Sequence, residues 1–423
     1  MTGIRWFTDV VRELQLCARE RSVVLVVATL ALLTTVSLAL GYQEIARQQH
    51  AIERFRVLDQ EDRIAVLAET SDWGGAAYAA FHATWQAPAP LAFTALGQRD
   101  LAPWMLRIRM LALEGQIHES DAGNPELALV GRFDMAFVLA FVTPLALVLL
   151  LHDLVARERS SGRLTLLLAT AGDGRRLWIA RIIARVGALC VAVLLPYFGF
   201  ALLAAVPALP ALLAGGIAMA SIVLWTLLML PLVFRPWSAT VIATACVGLW
   251  VSLALLVPLG ARHLIERVVP GVEGPDVAFT QREAVNAAWD LPKSATMEPF
   301  FESHPQWRAT APVEQPFHWK WYFAFQQVGD ERASELSLGY RHAIAERDRL
   351  AGWVAWLSPA VFVQRGLQHL AETDVAATLN HDARIRAYHA RLRQHWYPRL
   401  FDEPAFEPGV LATLPEFGDS SGD

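Results

Sequence analysis

The stretch Asp153-Leu-Val-Ala-Arg-Glu158-Arg-Ser-Ser-Gly162-Arg-Leu164-Thr-Leu-Leu167-Leu168 lies between two long apolar runs of the chain. It belongs to a connector, His152 to Arg185, that carries seven arginines against three acids. A basic connector of this length between hydrophobic spans marks the cytoplasmic side of a membrane protein. Within it a charged turn leads straight into an apolar helix, as a docking surface for a soluble partner requires.

The composition agrees with a membrane setting. Over 423 residues the chain is 54% hydrophobic and 18% charged, with a mean hydropathy of +0.33. That is too apolar for a soluble protein of this size. About 20 apolar helical residues cross a hydrocarbon core, and five segments meet that length: Ser22 to Tyr42, Phe133 to Leu151, Val186 to Val206, Leu212 to Phe234 and Ser238 to Gly260. The expected fold is an all-α polytopic membrane protein with five transmembrane helices and two mainly helical extracytoplasmic regions. The first span is longer than a signal-peptide core and no small-residue cleavage site follows it, so it reads as retained.

Charge sets the orientation. Residues 43–131 hold 7 basic and 12 acidic side chains, residues 152–185 hold 7 and 3, and residues 261–423 hold 16 and 22. Basic residues close to span ends favour the cytoplasm. The expectation is an inner-membrane protein with segment 1–21 inside, the 152–185 loop inside, and the 43–131 and 261–350 regions outside together with the carboxy terminus. Cys17 falls on the inner side and Cys190 and Cys246 within spans, so the outer regions have no thiols for a disulfide scaffold.

Several functions are excluded by motif. The only lysines are Lys293 and Lys320, and neither belongs to a G-x-x-x-x-G-K-[ST] loop. If ATP drives this protein, another chain hydrolyses it. No G-x-S-x-G elbow, H-E-x-x-H helix or C-x-x-C pair is present, and no catalytic constellation replaces them. With a net charge of −5 and acidic outer regions, nucleic-acid binding is not expected.

A resemblance rests on particular residues. Asn124-Pro-Glu-Leu-Ala-Leu-Val-Gly131-Arg132-Phe133-Asp134, then Pro144-Leu, Asp153-Leu, Glu158-Arg-x-x-Gly162-Arg-Leu164 and Leu166-Leu-Leu, resemble the ABC-2 type permease superfamily. The nearest likeness is to a bacterial branch with large extracytoplasmic insertions. It covers most of residues 1–400 and is most specific between about 110 and 185.

The resemblance implies a permease subunit without a cofactor of its own, pairing with a second permease, identical or homologous. It implies two copies of a nucleotide-binding subunit that carries ATP and Mg. The positions matching the element that transmits ATPase motion are Asp153, Glu158, Gly162, Leu164 and Leu167. The chain departs from many relatives at Thr170-Ala-Gly-Asp-Gly174 and at Ala180-Arg181.

The same residues have a direct physical reading. Glu158 and Arg159 can orient a short interfacial helix, Gly162 permits a tight bend, and Leu164 to Leu168, entered through Arg163, supply apolar contact. Arg175, Arg176, Arg181 and Arg185 form a basic stripe where the chain re-enters the membrane. They either serve the partner contact or anchor helix ends at anionic lipid headgroups. Asp134, at the start of a span, could be a site for an ion or polar cargo, but reads better as the partner of Arg132 or a snorkelling contact. Pro144, Pro196, Pro231 and Pro258 interrupt spans and remove helical hydrogen bonds there.

The outer regions are less legible. Tyr42 to Val66 continues the first span as helix, and Trp73 and Trp104 suit a packed domain. The rings of Trp319, Trp321, Tyr322, Phe323 and Phe325 fit the bilayer interface somewhat better than a core. Residues 351–363 are apolar but short, and read as an interfacial or re-entrant helix in place of a sixth span. In the amphipathic carboxy-terminal region 364–414, Leu379, Ile385, Tyr388, Leu392 and Trp396 recur at helical spacing, a face for the protein or for the membrane. His381, His389 and His395 lack metal-ligand spacing, and the tail 415–423 reads as disordered.

Two functional readings follow. The first is a permease that couples a partner's ATP hydrolysis to export of a substrate. The second is a membrane-anchored interaction protein through which a cytoplasmic ATPase relays force without cargo.

Overall fold

The computed structural model describes residues 2–118, 133–171, 174–407, 409 and 413–418. The Asn124–Arg132 part of the motif, Gly172, Asp173 and residues 419–423 of the tail therefore lie outside the described residues. Among those described, five helices are long and apolar enough to cross a membrane.

An amphipathic helix α1 (Thr2–Cys17) precedes the first of them, α2 (Arg21–Glu69). At 1.5 Å per residue the 49 residues of α2 extend about 74 Å, more than twice a hydrocarbon core. Its second half is the expected continuation from Tyr42. The second span, α5, runs through Met135–Phe137, a π-helical turn Val138–Val142 and Thr143–Leu151. Between these spans lie α3 (Trp73–Ala79), β1 (His82–Trp85), β2 (Met105–Ile108) and α4 (Leu113–His118).

Two short helices follow, α6 (Ala156–Ser160) and α7 (Leu164–Ala171). The remaining spans are α8 (Gly174–Leu203), α9 (Ala208–Val233) and α10. The last comprises Ala239–Val251, a second π turn Ser252–Leu256 and Val257–Val268. The third span thus begins twelve residues before the expected Val186, because α8 already contains Arg175 to Arg185.

The prolines divide by context. Pro144 and Pro258 each follow a π turn, where the missing N–H is absorbed by a widened ladder, whereas Pro196 and Pro231 sit inside continuous helix. Asp134 is the N-cap of α5: its carboxylate accepts from Phe137 N (2.8 Å) and from Leu96 N (3.0 Å). It fastens the span to the preceding loop, a capping role that the pairing with Arg132 did not anticipate.

The two regions read from sequence as extracytoplasmic are not separate. Trp73, Ile108, Met110 and Leu113 from the first join Phe300, Phe323, Phe325, Leu392 and Trp396 from the second in one hydrophobic core. We call this unit the head. Its second part contains α11 (Gly274–Ala287), α12 (Lys293–Ser303), α13 (Trp319–Val354) and α15 (Val375–Phe401), while α14 (Pro359–Leu370), between the last two, packs into the core of the bundle. Its only sheet among the described residues is the antiparallel pair β1–β2, in which His82 faces Ile108 and Trp85 faces Met105. Sequence order could not reveal that two regions separated by four spans share a core.

Contacts join the head to the bundle. Gly41 of α2 passes so close to the backbone that a Cβ there would lie 2.1 Å from Phe93 O. Further along, Arg99 donates to Gln48 Oε1 from Nε (3.0 Å) and Nη2 (2.9 Å), all buried. Asp59 meets Arg107 Nε at 3.2 Å and Ala83 N at 3.1 Å.

Two expectations change, and one left open is decided. The ring cluster beginning at Trp319 belongs to the head core: Trp321, Phe323 and Phe325 are buried, among Tyr78, Trp289 and one another. Periodicity marks a helix as buried without saying in what, and here α3, α11 and α12 surround it. Residues 351–363 are not one helix. Val354 ends α13, Ser358 caps α14 by accepting from Val361 N (3.3 Å), and Pro359 starts the new helix. The carboxy-terminal face with Ile385, Tyr388, Leu392 and Trp396 packs into the head, not onto lipid.

Candidate coupling surface

The end of the bundle away from the head is built on the 152–185 connector. Helix α6 closes in a Schellman turn: Gly162 N donates to Arg159 O (3.1 Å) and Arg163 N to Glu158 O (3.0 Å). Gly162 holds φ +71°, and a Cβ there would meet nothing within 4 Å. Backbone conformation, not crowding, is what requires glycine at this position.

Helix α7 leaves this turn with an unusual surface. Leu164 and Leu167 are half-buried, while Leu166 is 65% exposed and Leu168 is also exposed. Leucines at the first, third, fourth and fifth positions of a short helix cannot all face one neighbour, and Gly174 of α8 takes only Leu168 into close contact. An apolar strip therefore stands open beside a framework of charge.

The framework is an ion-pair network. Glu158 accepts from Arg181 Nη1 (3.1 Å) and faces Arg163 Nε at 3.4 Å. Arg181 also reaches Glu13 of α1 (3.4 Å), and Arg176 pairs with Asp9 of α1 (2.6 Å). Glu20, in the elbow between α1 and α2, binds Arg157 and also Arg185 Nη2 (3.3 Å). Arg185 Nη1 donates to Asp153 Oδ1 (3.2 Å) and to Leu150 O. Arg159 Nη1 reaches over to donate to Arg235 O (3.1 Å) and Trp237 O (3.4 Å), in the turn between α9 and α10.

All the sequence-derived positions thus lie at one end of the bundle, but their roles differ. Asp153, Glu158, Arg159, Arg163 and Arg176 bond within the chain, Gly162 shapes the turn, and Leu164 and Leu167 seat α7. Arg175 is exposed at the start of α8. The arginine stripe read as a partner contact or a headgroup anchor is, at Arg176, Arg181 and Arg185, an internal tie to α1 and its elbow.

Sequence reasoning missed those acids. The signal was partial: Asp9 and Glu13 stand four apart and share one face of α1, but Arg176 and Arg181 stand five apart, about 140° round α8, so spacing alone does not pair them. The pairs of Arg181 and Arg185 are little exposed, and pairs linked in a network hold geometry better than isolated surface pairs.

The arrangement gives one short element ties to every span. Through Glu158 it holds α8 and α1, through Glu20 the start of α2, and through Arg159 the α9–α10 turn, while α5 runs directly into it.

Comparison with known families gives one match. A family model described as a domain of unknown function (DUF3526) covers residues 277–418. No curated protein and no solved structure matches the chain significantly. The matched stretch begins in α11 and ends after α15, so it takes in most of the second part of the head and leaves the spans and the 152–185 connector outside.

Proposed function

We propose that this chain is the membrane-spanning permease subunit of an ABC transporter of ABC-2 type, acting in the bacterial inner membrane and exporting its substrate. The single observation that carries the reading is the exposed apolar helix α7, which follows the Gly162 turn of α6, itself ion-paired to the ends of the spans. A docked nucleotide-binding subunit, two copies per transporter, would press on the Leu166–Leu168 strip as it closes on ATP and Mg. Movement of α6 then pulls α8 and α1 through Glu158, α2 through Glu20, and the α9–α10 turn through Arg159. A second permease, identical or homologous, completes the pathway, and the head lies on the outer face.

A second reading has its own support. Helices α2 and α10 both continue past the length of a bilayer into contact with the head, so motion at the coupling end would also reach the head mechanically. A relay without cargo uses the same surface, and transport of labelled substrate into inverted vesicles separates the two.

The docking claim is tested by capture. Leu166→Asp places a charge on the open strip without touching any ion pair, and is expected to abolish co-purification of the ATPase. Leu338→Asp, at an exposed leucine of α13 in the head, is expected to leave it intact. Equal capture by both variants and wild type, or no ATPase with any of them, contradicts the assignment.

A further inference from the structure

The turn that ends α13 presents three large apolar side chains to the outside: Trp353 is 65% exposed, Trp356 85% and Leu357 67%. In a soluble head such a group within five residues is an interaction surface. Its position in the fold says which kind.

Helix α13 descends from the head core beside the last part of α10. Arg347 Nε donates to Val269 O (3.0 Å), and Gly271 abuts Ala343. From Arg347 the chain advances six to nine residues to reach Trp353 and Trp356, about 9 to 14 Å back along α10. That brings the two rings level with the stretch around Leu259 to Arg262. Counting about 20 residues of hydrocarbon from Ala239 also ends near Leu259. The surface of α10 becomes mixed at the same height: Leu255, Leu256 and Leu259 are exposed, and beyond them the exposed ion pair Arg262–Glu266 (2.8 Å) alternates with exposed Leu264 and Val268.

The next element agrees. Directly after the turn, α14 buries Ala360, Val363 and Leu367 in the core of the bundle, where Gly366 lies against Ile217 of α9. The tip of the head is thus fixed at the rim of the spans. Its neighbouring charges are matched within the chain, Arg365 with Asp348 and Arg349 with Glu346, so the tip offers rings and an aliphatic side chain with little free charge. At the opposite end of the bundle Trp237 is exposed and Trp178 packs on Phe234, which gives an aromatic level at each end of the apolar length.

We propose that Trp353, Trp356 and Leu357 form a foot that inserts into the lipid interface at the head end of the bundle, so that the head rests on the bilayer. Indole rings favour this zone because an apolar body meets the acyl chains while the N–H stays with water and headgroups. With the nearby charges paired, a zwitterionic bilayer suffices. The proposal is independent of the ATPase reading, since it concerns neither α7 nor the connector.

The test uses the full chain in nanodiscs of zwitterionic lipid, with and without brominated acyl chains. The tryptophan emission of Trp353→Phe/Trp356→Phe is subtracted from that of wild type. Both rings are exposed and phenylalanine keeps them aromatic, so unchanged circular dichroism is expected. The difference emission should be blue-shifted, should lose most of its intensity to bromolipid and should resist aqueous iodide. Quenching by iodide but not bromolipid overturns the proposal in favour of an aqueous tip. Resistance to both overturns it in favour of a protein cover, a second copy or another chain.

Discussion

Acidification from pH 7 to 5 is expected to destabilise the head, by about 2 kcal/mol for each of two buried histidines and in the same direction through a third. His82, His381 and His389 are all buried. Burial, the largest effect, lowers the imidazole of His82 to about 3 and of His381 to about 4, and carries His389 well below its ordinary 6.5, with nearby arginines acting in the same direction. These groups stay neutral in the folded head while the unfolded chain takes up protons below 6.5. Their stabilising contribution is therefore complete above about pH 6.5 and is lost as pH falls toward 4, at roughly 1.4 kcal/mol per histidine per pH unit. Asp330 and Asp382 run the other way, because burial pushes both carboxyls up.

His381 isolates the effect. Among the described residues neither of its ring nitrogens meets a hydrogen-bonding group, so His381→Leu removes a titrating group without breaking a bond seen there. Thermal unfolding of the head in nanodiscs at pH 7, 6 and 5 should show the midpoint falling for wild type. The variant should fall less, by the equivalent of one proton. A midpoint that is flat or rises on acidification, or a variant parallel to wild type, contradicts the assignment.

The second large effect is expected at Glu114 of α4. Arg386 of α15 donates to it from Nε (2.8 Å) and Nη2 (2.9 Å), Ser337 of α13 donates at 2.9 Å, and His118 lies at 3.4 Å. Burial alone would raise this carboxyl, but the hydrogen bonds of Arg386 and His118 hold it well below the usual carboxylate range. Its contribution is present above about 4.5 and survives deep into acid, so it does not cause the fall between pH 7 and 5. Glu114→Leu leaves the Arg386 guanidinium in a little-exposed site without its two-point partner, a change that costs about 3 to 5 kcal/mol. For a unit of this size that lowers the midpoint by on the order of 10 °C. Replacing both partners, Glu114→Leu with Arg386→Met, should recover much of the loss. An unchanged midpoint in the single variant means that the network does not bind the first part of the head to the second.

The spans were legible because length and apolarity decide them locally: each of the five expected segments overlaps one of the five apolar helices. Helix ends were less so, since α8 starts among arginines whose charge marks a membrane edge while their backbone is already helical. The head defied linear reading for a different reason. Trp73 and Trp396 stand in one core, yet nothing in the local pattern around either names the other. The Trp319–Phe325 rings show the same limit, for aromatic clusters look alike in sequence whether a domain or a bilayer covers them. At the coupling end the residue types were readable, and the partners of the arginines were not, because Asp9, Glu13 and Glu20 come from a segment more than a hundred residues away.

The central claim, that the 152–185 connector transmits the work of an ATPase to the spans, is tested most directly by ATP hydrolysis of the lipid-reconstituted complex carrying Glu158→Ala. This substitution frees Arg181 and Arg163 from α6 but leaves the leucines of α7 in place. The account predicts normal capture of the ATPase with loss of the turnover that the permease stimulates in wild type. Wild-type stimulation in the variant, at equal capture, would contradict it.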